Sequence, residues 1–370
     1  MSATDAVAQK PERLMSIDAL RGFDMFWIVG GRELVLAFVA LFATPLPAAF
    51  SGQFDHTEWI GFTFWDIIMP LFLFITGASM PFSFSKRIER HDSKFRIYGK
   101  IVRRTLILFV LGIVAQGNLL EFDLDRLHLY CNTLQSIAIG YFVAAILLLN
   151  VSIVWQLAMT ALCLVGFWIL MMFVPVPGIG SGVLEPGANL ALYIDTLILG
   201  RFRDGTPYTW ILSSMTFAAS VLLGVMAGHI LRSKKPQGTR LFWLTGAGVG
   251  CLALGWVWGL QFPIIKHIWT SSMTLWAAGW SFLMLAAMYA VIDVLGFRKW
   301  AFPFAVIGMN AIAVYMATHL INFGDIAGGL VWGLADHAGV AGDFVKTAAT
   351  FALIWLILLY MYRKKTFIRV

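Results

Sequence analysis

Charge is scarce in this chain. Asp, Glu, Lys and Arg make up 13% of its 370 residues and hydrophobic types 59%, whereas a soluble domain carries about one-quarter charged residues. With a mean hydropathy of +0.80, an ordinary soluble domain is excluded. Cysteine is almost absent: Cys131, Cys163 and Cys251 stand apart with no C-x-x-C spacing, which leaves no basis for a disulfide framework or a cysteine metal site. There is no G-x-x-x-x-G-K-[ST] phosphate loop, no G-x-S-x-G with triad partners and no H-E-x-x-H zinc motif. No metal is expected. Residues 1–22 are polar, and the apolar run after them lacks a small-residue cleavage site, so a cleavable signal peptide is not expected either. No inverted repeat of the transporter kind is visible.

What is abundant is apolar runs of about 20 residues, each long enough to cross the hydrocarbon core as a helix. The expected fold is all-α: a polytopic membrane protein with a bundle of about ten transmembrane helices. Spans begin near Phe23, Thr63, Ile101, Leu134, Trp155, Trp210, Leu241, Ser272, Phe304 and Thr347. Basic residues cluster on alternate connections. Lys10, Arg13 and Arg21 precede the first span. Lys86, Arg87, Arg90, Lys94, Arg96, Lys100, Arg103 and Arg104 follow the second. Arg232, Lys234, Lys235, Arg240, Arg298 and Lys299 fall in later turns, and Arg363, Lys364, Lys365 and Arg369 close the chain. Only Arg32, Arg126, Arg201, Arg203, Lys266 and Lys346 fall elsewhere. The positive-inside rule therefore sets both termini in the cytoplasm. The expected division is a tail at 1–22, a transmembrane domain at 23–362 and a second tail at 363–370. The same bias accounts for the net charge of +7 without nucleic acid as a partner. The opposite connections, about 43–62, 119–133, 175–209, 260–271 and 322–346, are long and rich in Gly and Pro, as binding loops over a scaffold often are.

The chemistry-bearing residues concentrate at the start of the second span. His56 stands just outside it and Asp66 just inside it, with Trp59 and Trp65 at headgroup level between them. A carboxylate in a span costs at least ~2.5 kcal/mol at mid-depth and is commonly functional. An imidazole near neutral pH accepts a proton or attacks as a nucleophile, and Asp66 can orient it or pair with another buried polar group. Arg32 and Glu33 follow Gly30-Gly31 inside the first span. They are expected to pair and either line a cavity or lock the bundle. Asp18 and Arg21, three apart on one helical face, are a ligand pair or a snorkelling arginine with a capping aspartate. Lys266, His267 and Ser272 lie between two spans on the outer side, where Lys266 and His267 bind an acidic or polar substrate group or Lys266 and Trp269 anchor the interface. Asn310 and His319 lie in the ninth span, where an amide is helix–helix glue or a substrate ligand.

Two segments carry a family resemblance. The opening R-L-M-S-I-D-A-L-R-G at 13–22 and the run H-x-x-W-x-G-x(4)-D-x(3)-P-x-F-x-F-x-x-G at 56–77 resemble the heparan-α-glucosaminide N-acetyltransferase family, within the wider transmembrane acyltransferases. P-x-x-K-x-x-W-[ST]-x-S at 263–272 and G-M-N at 308–310 extend the resemblance. It implies an acetyltransferase that takes acetyl-CoA from the cytosol and acetylates a glucosamine-type amine, or another amino-sugar or glycan acceptor, across the membrane. His56 matches the catalytic histidine and Asp66 the acid at the start of the span. Trp59, Arg32, Glu33, Lys266, Ser272, Asn310 and His319 are then the candidates for acceptor contacts. Asp18, Arg21, Arg87, Arg103 and Arg104 are the candidates for CoA, since guanidinium groups suit its phosphates. A homodimer in contact with membrane lipid is implied, in a bacterial inner membrane. The chain departs from the family in two places: Arg32 stands where the lysosomal branch has asparagine, and Leu134-Gln135-Ser136-Ile137 replaces L-Q-R-I. A sugar or small-molecule transporter, a non-catalytic membrane scaffold and an acyltransferase for another cell-envelope glycan are the competing readings.

Overall fold

The computed structural model describes residues 14–91 and 93–368. Lys10, Arg13, Arg369 and most of the expected first tail lie outside the described residues. The chain starts with α1 (Met15–Phe26), which passes through a π-helical turn at Trp27–Gly31 into α2 (Arg32–Ala40). Gly30 takes φ +119° in that turn, with open space where a Cβ would sit. Its part is thus to break the helix. After α3 (Ala48–Ser51), a 3-10 turn at Trp65–Ile67 leads into α4 (Ile68–Glu89). Next come α5 (Lys94–Gln116), α6 (Thr133–Asn150) and α7 (Ile153–Phe173). A two-residue β-hairpin, β1 (Leu184–Glu185) with β2 (Ala188–Asn189), precedes α8 (Leu190–Leu199).

The second half holds α9 (Ser214–Arg232), α10 (Gln237–Gly259), α11 (Ser271–Met288), α12 (Phe302–Gly308) and α13 (Ala311–Leu320). Two short helices, α14 (Phe323–Leu330) and α15 (Trp332–His337), lead to α16 (Gly342–Arg363). This is an all-α polytopic membrane fold. Among the described residues seven helices are long and apolar enough to cross a bilayer, or eight if α12 and α13, bent by 62°, count as one broken span. The remaining expected crossings, near Phe23 and Ile101, are helical as α1–α2 and α5. They carry Asp18, Arg21, Asp24, Arg32 and Glu33, and Lys94, Arg96, Lys100, Arg103 and Arg104. Three of the connections read as loops hold helices: α3, α8, and α14 with α15.

Helices of similar hydropathy take different places. The apolar windows of α4 and α9 are 78% buried, whereas that of α16 is 11% buried. The reason lies in small residues. A Cβ on Gly77 would collide with the Val221 carbonyl, and one on Gly224 with the Phe74 carbonyl. Backbones that approach this closely gain the packing that drives helix association in lipid. Gly22 and Gly308 bring α1 against α12 in the same way. On α7, α10 and α16, Trp155, Leu162, Phe242, Leu254 and Leu356 are turned outward, a face suited to lipid. The bundle therefore has two ends, one bearing the basic run 86–104 and the other His56.

Candidate active site

Two loops at the His56 end are tied together by backbone. Gly61 donates to the Ile264 carbonyl at 2.9 Å, and Ile60 and Ile265 form an antiparallel bridge. Thr209 donates to the His267 carbonyl at 3.0 Å, which fastens a third segment. The turn at 263–272 is held from inside by hydroxyls. Thr270 and Ser272 donate to the Pro263 and Phe262 carbonyls, and Thr270 caps α11 by accepting from the Met273 amide. These ties carry Lys266, distant in sequence, to the start of α4.

There Asp66 is wholly buried and fully matched. Its Oδ1 lies 2.7 Å from His56 Nδ1 and 3.2 Å from Lys266 Nζ. Its Oδ2 accepts from the Thr63 amide at 3.0 Å and faces the Thr57 and Thr63 hydroxyls at 3.1 and 3.2 Å. The short contact assigns a proton to His56 Nδ1, donated to Asp66, and leaves Nε2 as the free basic nitrogen. Lys266 then donates to Asp66, and its 3.0 Å approach to Nδ1 is a contact between two donors. Burial pulls the Lys266 ammonium down to about 8, against the pull of Asp66. Next to it, burial and the Lys266 charge push His267 down to about 4.

His56 and Lys266 line a cavity of about 610 Å³, a size suited to a small ligand. Its walls come from distant parts of the chain: Ile28, Phe72 and Ile137 at depth, with Trp65, Tyr208 and Trp210 supplying aromatic faces. Asp204 is the one carboxylate among its described lining residues. It accepts from the Trp210 indole at 3.3 Å and from the Thr206 amide and hydroxyl. Buried Asp195, pushed by desolvation up to about 6, accepts from the Trp210 and Ile211 amides and fixes this segment at the head of α9.

The other sequence candidates spread more widely. His319 lines the cavity, its Nδ1 donating to the Tyr315 carbonyl at 2.8 Å. Trp59 lies outside the lining: its ring stacks on His267 at 5.2 Å and its indole donates to the Leu184 carbonyl. Arg32 pairs chiefly with Asp55 and donates to the Phe54 carbonyl at 2.8 Å. Glu33 is a more distant partner at 3.5 Å and is mostly exposed. Arg32 thereby holds the segment immediately before His56. Ser272 is spent on the turn described above. Asn310 sits at the α12–α13 break and bonds the chain end through the Thr366 carbonyl and the Ile368 amide. At the basic end, Asp18 and Arg21 pair at 3.5 Å. Arg104 stacks over Tyr141 at 4.4 Å, Arg87 lies over Phe84, and Arg103 is exposed. Buried guanidinium nitrogens of Arg87 and Arg104 have no hydrogen-bond partner among the described residues.

A histidine fixed through Nδ1 by a buried carboxylate, beside a ligand-sized cavity, is an arrangement for proton transfer or nucleophilic attack. Residues 13–119, which include His56 and Asp66, match a family described as a domain of unknown function, DUF5009. Heparan-alpha-glucosaminide N-acetyltransferase of Homo sapiens is 27% identical over 430 residues, covering 99% of this chain and 61% of the human protein. The Mus musculus protein of that name is 28% identical over 377 residues, covering 85% and 56% respectively. The chain resembles the heparan-alpha-glucosaminide N-acetyltransferases along most of its length. It spans about three-fifths of the length of these relatives.

Sequence reasoning did not find Asp204, Tyr208, Trp210 or His128 as cavity residues. They lie in long connections where only tertiary assembly brings them to His56. It also passed over Asp24 on α1, although the rule that singled out Arg32 and Glu33 applies to it equally.

Proposed function

We propose that this protein is a membrane N-acetyltransferase that moves an acetyl group from acetyl-CoA to the amine of a glucosamine-type sugar. The observation that carries the proposal is the His56–Asp66–Lys266 cluster at the wall of the 610 Å³ cavity. The sugar enters at the His56 end and rests against Trp65, Tyr208 and Trp210. Its amine nitrogen attacks the thioester carbonyl, so that a C–N bond forms and the C–S bond breaks. His56 Nε2 takes the proton leaving the nitrogen and returns it to the departing thiolate, giving an amide and free CoA. Asp66 fixes the tautomer and ring plane throughout. Lys266 neutralises Asp66 and, lining the cavity, supplies positive charge where the carbonyl oxygen becomes negative.

The nucleotide of CoA is assigned to the basic end, where Arg87 and Arg104 hold spare buried donors and Arg103 is at the surface. Guanidinium groups suit its phosphates. The positive-inside bias makes that end cytoplasmic and the His56 end periplasmic, in a bacterial inner membrane. The division into a tail at 1–22, a transmembrane domain at 23–362 and a tail at 363–370 belongs to this reading. So does a homodimer, which would bury part of the apolar face of α7, α10 or α16.

The test is transfer by the purified protein in detergent from radiolabelled acetyl-CoA to glucosamine, with CoA binding measured in parallel. Transfer supports the proposal. Binding without transfer to any amino sugar or glycan tested contradicts it, and absence of CoA binding favours a transporter or scaffold. Rapid acid quench without acceptor separates direct transfer, which leaves the protein unlabelled, from an acetyl group carried on His56.

A further inference from the structure

Asp24 is wholly buried in α1, and neither carboxylate oxygen has a hydrogen-bond partner among the described residues. An acid at this depth in a span is costly even before its lost hydrogen bonds are counted. Nothing in the reaction at His56 uses it.

Its register tells where it faces. Gly22 meets the Phe304 carbonyl of α12, and Asp24 lies two residues on, about 200° round the helix and away from that contact. Ile28, which lines the deep part of the cavity, is one turn from Asp24 on the same face, about 6 Å along the axis towards the His56 end. Asp24 therefore stands directly behind the cavity floor, towards the basic end. Other floor elements repeat the pattern. Ile137 of α6 lines the cavity, and one turn behind it Tyr141 carries the stacked Arg104. Arg104 Nε, Thr105 Oγ1 and an Arg87 nitrogen are likewise buried without hydrogen-bond partners among the described residues. On α5, Arg104 lies about 18 Å from cavity-lining Gln116. Unmatched polar atoms thus lie on three of the elements, α1, α4 and α5, that run from the basic end to the cavity, over a length that an extended pantetheine arm bridges.

We propose that Asp24 is a ligand of the donor's pantetheine arm, its carboxylate accepting the N–H of one of the arm's amides as the arm passes from Arg87 and Arg104 to the cavity. The inference rests on the acetyl-CoA reading above and adds the residue that recognises the arm instead of the nucleotide. It also explains why an unmatched acid is kept in a span: its partner arrives with the donor.

The experiment is titration calorimetry on wild type, Asp24→Leu and Asp24→Asn in detergent, with CoA and with adenosine 3′,5′-bisphosphate, which has the phosphates but no arm. The melting temperature of each ligand-free protein is read alongside. Asp24→Leu should bind CoA at least tenfold more weakly, bind the bisphosphate as wild type does, and melt higher without ligand. Asp24→Asn, which keeps an accepting oxygen, should recover most of the CoA affinity. Wild-type CoA affinity in Asp24→Leu overturns the inference alone. A lower ligand-free melting temperature for Asp24→Leu also overturns it, because it would reveal a structural partner. A wild type that binds neither compound overturns the acetyl-CoA reading and this inference with it.

Discussion

Asp24 and Asp66 are both wholly buried, and the protein treats them in opposite ways. Asp66 is surrounded by His56, Lys266, Thr57 and Thr63, with every oxygen matched. Asp24 has no matched oxygen among the described residues. One carboxylate belongs to machinery complete in the ligand-free protein, the other to a site whose partner is supplied from outside. Burial alone therefore does not separate structure from function in this membrane protein. The inventory of partners does.

The sharpest way to break the comparison is to make both sites apolar. Removing one member of a buried ion pair strands the other charge at a cost of about 3–5 kcal/mol. Asp66→Leu should thus lower thermal stability strongly, the opposite sign to Asp24→Leu, and Asp66→Leu with Lys266→Met should recover much of the loss. Equal melting shifts for the two aspartate variants would end the distinction.

A smaller effect tests the acceptor side. Asp204 is the cavity's lining carboxylate, so Asp204→Asn should raise the KM for glucosamine about tenfold, the scale of ~1.4 kcal/mol, with the CoA affinity unchanged. A change confined to kcat would place Asp204 outside acceptor binding.

The third prediction concerns pH. Lys266 is charged below about 8 and neutral above it. Its ion pair with Asp66 is therefore present at neutral pH and is lost as pH rises through about 8. Transfer should decline across that window, and Lys266→Arg, which stays charged, should move the decline upward even where its overall rate is lower. An unmoved alkaline limb would exclude Lys266 as its source.

The smallest effect is expected at Arg32. Its pair with Asp55 is partly exposed, and such pairs contribute about 0.2–1 kcal/mol. Asp55→Ala should shift the melting temperature slightly and reduce transfer several-fold by loosening the segment before His56. A loss as deep as that of Asp66→Leu would give Arg32 a larger part than holding that segment.

Much of this was legible in the sequence where chemistry is local. His56 and Asp66 are ten residues apart at the start of one span; the sequence left open whether Asp66 orients His56 or pairs with another polar group, and the structure brings the two to 2.7 Å. The all-helical membrane fold follows from long apolar runs, and α12–α13 and α16 start within a few residues of the expected spans. Lys266 was visible as a polar residue in an outer turn, but its partner was not, because the bridge between Ile60 and Ile265 is a tertiary event. Arg32 was read with its neighbour Glu33, whereas its main partner is Asp55, beyond the π-helical turn that redirects α2. The cavity could not be read because Ile28, Phe72, Ile137, Tyr208 and Tyr315 meet only once the helices are packed.

The central claim is that His56 moves the proton, or the acetyl group, and the most direct measurement is the His56→Ala variant. Its acetyl transfer to glucosamine should be compared with wild type under saturating donor, with CoA binding measured on the same preparations. The account predicts a fall of about 10²–10⁴-fold in transfer with CoA affinity retained. Transfer within a few-fold of wild type would contradict it.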